Sequence, residues 1–97
     1  MKKKWMAPVE IGDVVKSDGV QLLVVGLEYF DEMNKRHNWT VVLMHDYNGF
    51  QKGSLGGMDK AFEHFGKISK VDLMELFSHV IDQHARNQMI DMLENYK

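Results

Sequence analysis

Two stretches decide the fold of this 97-residue chain: VQLLVVGLEYF at Val20–Phe30 and NWTVVLMHD at Asn38–Asp46. Both predict long strands, and the polar loop Asp31–His37 joins them into a hairpin. In each stretch, apolar side chains occupy even and odd positions alike. Because successive side chains of a strand point to opposite faces, both faces of the predicted hairpin are apolar. Each face therefore needs cover, which the rest of the chain must supply.

Further strand signals lie on both sides of this hairpin. Val9–Lys16 predicts a first strand, and Asp18-Gly19 after it favours a tight turn because both residue types tolerate positive φ. The pair Asn48-Gly49 is typical of a type I′ turn and predicts a fourth strand at Phe50–Leu55. Lys67–Val71 is either a short fifth strand or a connector. The sequence thus predicts four or five antiparallel strands.

Helical spacing appears in the second half of the chain. Met58–Phe65 has apolar residues at i, i+3, i+4 and i+7, which predicts a short helix with Gly66 as its C-cap glycine. A longer helix is predicted from Asp72 to the C-terminus. Ser69 and Asp72 both match an N-cap pattern, and we prefer Asp72.

The C-terminal helix carries two apolar stripes. The first consists of Leu73, Leu76, Phe77, Val80, Ile81 and His84. The second consists of Met89, Met92, Leu93 and Tyr96. In a straight helix the second stripe lies about 100° around the axis from the first. Either the helix breaks near Arg86-Asn87, or the second stripe packs on another copy of the chain or on a different protein.

These elements predict a basic N-terminal arm at residues 1–7 and one α+β domain at residues 8–97. The sheet is expected at residues 9–55 and the helices at about 58–65 and 72–96. We expect the antiparallel sheet to curl into a partial barrel, with the helices over its outer face or an open end. A plain curved sheet with helices packed on one side is the alternative architecture.

The opening strand Ile11-Gly12-Asp13-Val14-Val15 resembles the "GD-V" strand that begins many small SH3-like barrels, including KOW-type modules. The Asp-Gly turn and the long second strand are similar too. The resemblance covers roughly residues 9–55. It implies an SH3-like partial barrel that binds protein or nucleic acid, of a kind often encoded in bacterial and phage genomes.

Composition narrows the functional classes. The net charge is −2, so the domain lacks the basic footprint of most nucleic-acid binders, and the absence of cysteine removes disulfides and thiolate ligands. Pro8 and Glu10 interrupt the N-terminal segment, which predicts no signal peptide. No apolar run approaches the ~20 residues of a membrane span. We expect a cytoplasmic protein without a membrane partner.

The sequence offers no enzyme signature. Ser54 follows Lys52-Gly53, which does not match a G-x-S-x-G nucleophile motif. Among the five histidines, His79 and His84 would point about 140° apart on one helix, which does not suit shared metal ligation. We expect neither catalysis nor a metal or cofactor.

The leading hypothesis is a small interaction module, or an accessory or inhibitor protein of phage or mobile-element type, that binds a protein partner or forms a homodimer. Its predicted partner-binding residues are Met89, Met92, Leu93 and Tyr96, because flexible methionines adapt to binding surfaces. The alternative is an SH3-like module that binds nucleic acid. Its predicted contact residues are Lys2, Lys3, Lys4, Lys35, Arg36 and Trp39, which combine cations with an aromatic ring.

Overall fold

The computed structural model of this chain describes residues 10–17, 19–31, 36–58 and 63–96, with the backbone alone for residues 27–31, 36–38 and 58. Within these ranges, five strands precede two helices. The elements are β1 (Asp13–Ser17), β2 (Val20–Asp31), β3 (Arg36–Leu43), β4 (Leu55–Met58), β5 (Glu63–Lys67), α1 (Lys70–Phe77) and α2 (Gln83–Glu94). Neither of these two helices is long and apolar enough to cross a membrane.

The sheet has the order β4-β3-β2-β1-β5, and every pair of neighbouring strands is antiparallel. β1 to β4 form a meander, and β5 returns to the free side of β1. In the part of the chain that the structure describes, this sheet stays open, with β4 and β5 at its edges. The predicted α+β class, an antiparallel sheet of four or five strands followed by helices, is confirmed.

Both faces of the central hairpin are buried, as the alternating pattern predicts. Leu23 and Val25 of β2 belong to a core shared with both helices. Val20, Leu22 and Val24 of the same strand lie on the other face. They form a second cluster with Val15 and Val41, against which Trp39 and Leu43 pack.

The Asn48-Gly49 turn is confirmed, but the strand predicted after it is wrong. Both residues have positive φ, 52° and 88°, and the flanking Tyr47 and Phe50 exchange two backbone hydrogen bonds of 2.8 Å. Phe50 makes an isolated bridge, and β4 begins only at Leu55. The backbone turns again at Gly53, whose N–H donates to the Leu43 carbonyl at 2.9 Å and returns the chain to β3.

The helix predicted at residues 58–65 is wrong. Met58 ends β4, and Glu63 begins β5; residues 59–62 lie outside the described part. Gly66, at φ 96°, lies beside a β-bulge rather than at a helix end. Phe65, the last residue of the apolar pattern, is 53% exposed, so the pattern does not mark a buried helical face.

The C-terminal region folds as two helices, and the predicted break is misplaced. α1 ends at Phe77 and α2 begins at Gln83, whereas Arg86-Asn87 lies inside α2. Asp82 is the N-cap of α2, since its Oδ1 accepts from the Ala85 N–H at 3.0 Å. The preference for Asp72 as the cap of α1 is also wrong.

Ser69 caps α1 through its Oγ, which accepts from the Asp72 N–H at 3.1 Å. The other end of α1 is held by Arg86, whose guanidinium donates to the carbonyls of Phe77 at 3.3 Å and Val80 at 2.8 Å. That guanidinium also lies 4.1 Å from the centre of the Phe77 ring. The residue predicted to mark the break therefore stabilises the turn where the break occurs.

The turn between α1 and α2 lets both apolar stripes pack on one core. That core contains Leu73, Leu76, Val80, Ala85 and Met89 together with Leu23, Val25, Val42 and Ile68. Ile81, predicted in the first stripe, is 88% exposed because it lies in the turn rather than on a helix.

Candidate functional site

The residues predicted to bind a partner lie largely within the domain. Met89 is fully buried, and Met92, Leu93 and Tyr96 are half-buried against the same core. The Tyr96 hydroxyl donates to the Ile68 carbonyl at 2.7 Å. Of the two alternatives for the second stripe, the structure shows a helix break, because the turn before Gln83 reorients α2.

Two of these four residues, Met92 and Tyr96, nevertheless line a surface groove of about 610 Å³, a size typical of ligand sites. The groove lies between one face of α2 and the segments that enter β1 and leave β5. Its lining residues are Ile11, Gly12, Lys67, Ile68, Leu73, Gln88, Asp91, Met92, Asn95 and Tyr96. Its walls are mainly apolar, and Ile11 is 49% exposed. We call this feature the α2 groove.

Gly12 lies in the lining of the α2 groove, in a backbone conformation that favours glycine. It has φ 97°, and a Cβ at this position would lie 3.6 Å from Lys67 Cδ and 3.9 Å from Met92 Sδ. Its N–H donates to the Val24 carbonyl at 2.8 Å, and its carbonyl accepts from the Ile68 N–H at 2.9 Å. A glycine here satisfies a positive φ that a side chain would strain, and it brings the backbone close to α2.

A buried carboxylate fixes this end of the sheet. The Asp13 side chain is 5% exposed, and its Oδ2 accepts from the Glu10 N–H at 2.9 Å and from His64 Nε2 at 2.6 Å. The ammonium of Lys67 lies 3.2 Å from Asp13 Oδ1 and 2.9 Å from Glu10 Oε1. Since an ionised carboxylate only accepts, His64 carries its proton on Nε2.

The hydrogen bonds decide the charge of Asp13. Burial is the largest single influence and raises its pKa, but the bonds from the Glu10 N–H, His64 and Lys67 together hold the pKa below the ordinary value. The hydrogen bond to Glu10, followed by the interactions with Asp13, raises the pKa of Lys67. Both groups are therefore ionised at neutral pH.

A second polar cluster lies on the exposed side of α1. Lys52 Nζ donates to both carboxylate oxygens of Glu75, at 2.7 and 2.9 Å, and His79 Nε2 lies 3.1 Å from Glu75 Oε2. The hydrogen bond from Lys52 is the main cause that lowers the pKa of Glu75. Within the described ranges, no three His, Asp or Glu side chains are placed to hold a metal ion.

The residues predicted to contact nucleic acid do not form a described site. Lys2, Lys3, Lys4 and Lys35 lie outside the described residues, and Arg36 begins β3 with only its backbone described. Trp39 is half-buried against the second apolar cluster, so its ring is not a free stacking surface.

Sequence reasoning missed the α2 groove as a site, although it predicted two of its lining residues, Met92 and Tyr96, to bind a partner. Gly12 was noted within the opening strand, and Met92 and Tyr96 within the second stripe. His64 was assigned to a helix, and no local signal places it beside Asp13, 51 residues away. A comparison of this chain with protein-family models, curated proteins and solved structures finds no match.

Proposed function

We propose that this domain is a small, non-enzymatic interaction module that binds a protein partner through the α2 groove. The observation that carries the proposal is a mainly apolar groove whose wall residue Ile11 is half exposed. Burying a side chain of that size at an interface contributes roughly 1.5–3 kcal/mol. An accessory or inhibitor protein, including one from a phage or mobile element, fits this role, and a second copy of the chain is one partner to test. The SH3-like relationship stays a prediction from the opening strand.

A protein partner is favoured over nucleic acid by the charges at this surface. Asp91 lines the groove, and Glu10 and Asp13 flank Lys67. Phosphate groups would meet more carboxylates than free cations here, and nucleic-acid affinity depends mainly on cations that face phosphates.

Two exposed isoleucines allow a matched test. Ile11 lines the α2 groove, whereas Ile81, 88% exposed in the turn between the helices, does not. A photocrosslinking amino acid is placed at one or the other position in the native host, and the lysate is treated with nuclease. We expect a discrete protein adduct from position 11 that is absent from position 81. An adduct of twice the chain mass would identify a second copy as the partner.

Equal adducts from both positions would contradict a groove-specific partner. Adducts from position 11 that disappear on nuclease treatment would support the nucleic-acid alternative instead. Both variants are checked by circular dichroism, and we expect native spectra because both side chains already contact solvent.

A further inference from the structure

Among the described residues, the α2 groove has one carboxylate in its lining, Asp91, and two more, Glu10 and Asp13, that lie beside the lining residue Lys67. Lys67 is the only cation among the described residues that line it, and the carboxylates of Glu10 and Asp13 lie within 3.2 Å of that ammonium. Asp91, also in the lining, is exposed and makes no ion pair within the described part of the chain. Among the described residues, the carboxylates of Glu10, Asp13 and Asp91 thus outnumber the single ammonium of Lys67 at this mainly apolar groove.

We infer that the α2 groove recognises a short extended segment of a protein partner in which an apolar side chain is flanked by lysine or arginine. This inference rests on the proposed function and names the chemistry of the partner. The apolar side chain would contact Ile11, Ile68 and Met92 on the floor and wall. The flanking cation would pair with Asp91.

The shape of the groove sets the length of that segment. Gln88, Asp91 and Met92 recur at helical spacing on α2, and the C-cap Asn95 and Tyr96 after it continue the same face to a length of about 12 Å. An extended chain rises about 3.3 Å per residue, so about four residues span this face. The amide of Gln88 lies along it and can hydrogen-bond to the backbone of the segment, whereas the Asn95 amide already donates to the Asp91 carbonyl at 2.8 Å.

The two parts of this recognition differ in strength. Asp91 is exposed, so an ion pair there is screened by water, and its loss should weaken binding by only about two- to fivefold. The apolar contact is desolvated, so its loss should weaken binding at least about tenfold. The charge therefore selects among partners, whereas the apolar contact supplies most of the affinity.

A peptide-display selection tests the inference directly. A library of random seven-residue peptides is selected on the immobilised full chain and counter-selected on the variant Ile11→Asp. We expect the enriched peptides to combine a large apolar residue with lysine or arginine nearby. One enriched peptide is then synthesised together with a version in which each cation is replaced by glutamate.

Binding of this peptide pair is measured with the wild type, with Asp91→Lys and with Glu94→Lys. Glu94 is an exposed carboxylate of the same helix outside the groove lining, so it controls for the overall change in charge. We expect Asp91→Lys to weaken binding of the cationic peptide by about fivefold or more and to strengthen binding of the glutamate version, because the new lysine repels a cation and attracts a carboxylate. Glu94→Lys should leave both affinities within about twofold.

The possible failures are distinguishable. Enriched apolar peptides that lack cations, or equal effects of Asp91→Lys and Glu94→Lys, would overturn the inference about charge and leave the proposed function standing. Peptides that bind Ile11→Asp as well as wild type, or the absence of any enrichment, would overturn the proposed binding site and with it this inference.

Discussion

Two carboxylates, Asp13 and Glu75, have lowered pKa values, yet they lie in very different surroundings. The Asp13 side chain is 5% exposed and ties β1 to β5, whereas the Glu75 side chain is 53% exposed on α1. Each carboxylate has one lysine and one histidine as partners. These are Lys67 and His64 for Asp13, and Lys52 and His79 for Glu75. The main differences are burial and the backbone hydrogen bond from Glu10 to Asp13, and we expect burial to decide whether such a cluster stabilises the fold.

Next to the exposed Glu75 cluster, the loop before β4 packs directly against the turn after α1 through a close backbone contact. Gly53, at φ 93°, packs so closely on this turn that an added Cβ would overlap the carbonyl of His79. The solvent-screened ion pair of Lys52 and Glu75 therefore lies next to the contact between Gly53 and His79, which leaves no space for a Cβ.

The largest effect is expected for Gly53→Ala. The added methyl group meets a positive φ and the His79 backbone together, so we expect the free energy of unfolding to fall by ~3 kcal/mol. Urea denaturation at neutral pH measures this change. Gly49→Ala is the matched control: its φ is 88°, but a Cβ there meets nothing within 4 Å. We expect only ~1 kcal/mol from that control.

Equal losses for the two alanine variants would mean that the approach to His79 contributes nothing beyond backbone strain. A larger loss at Gly53 assigns the difference to close packing between the loop and the turn.

Asp13→Asn should have the next largest effect. Asparagine keeps the shape and one acceptor but loses the negative charge that accepts from His64 and faces Lys67. Hydrogen bonds to charged groups are worth more than neutral ones, so we expect a loss of ~2 kcal/mol at pH 7. Chemical denaturation measures it, and a variant as stable as wild type would show that this buried carboxylate does not stabilise the fold.

The stability difference between wild type and Asp13→Asn should also depend on pH. This change with pH should be smaller than the loss at pH 7, but it identifies the charge of Asp13 as the cause. The folded pKa of Asp13 lies below the unfolded value of 3.8, so its stabilisation is present above pH 3.8 and is lost as the pH falls through the folded pKa. The stability difference between wild type and Asp13→Asn should therefore shrink below pH 4. Denaturation curves at several values between neutral and strongly acidic pH test this. A constant difference would assign the effect to packing instead.

The sequence predicted the features that depend on short-range pattern. Alternation indicated the two buried faces of β2, and the φ preferences of Asn48-Gly49 indicated that turn. The helix predicted at residues 58–65 failed because β5 forms by pairing with β1, a distant segment whose hydrogen bonds outweigh local helical spacing.

The break between the helices was recognisable only in part. The angle between the two apolar stripes correctly predicted either a helix break or an interface. It did not indicate at which residue α1 ends. Asp82, which caps α2, lies inside the single long helix predicted from Asp72 onward, so it was not predicted as a cap. The α2 groove was not predictable, since Gly12, Ile68 and Met92 meet only after the helices pack on the sheet.

The smallest effect is expected for Glu75→Gln, and it is the sharpest test of the comparison. Glu75 has short hydrogen bonds to Lys52 and a lowered pKa, as Asp13 has with its own partners. Its side chain is nevertheless half exposed, so water screens the charges and ordering two long side chains offsets the attraction. We expect the melting temperature to stay within measurement error at neutral pH, in low salt and in high salt.

A fall in melting temperature that matches that of Asp13→Asn would contradict this argument. The pKa of a carboxylate would then report its contribution to stability regardless of burial. If only Asp13→Asn destabilises the domain, two carboxylates with the same direction of pKa shift differ because one has left water and the other has not.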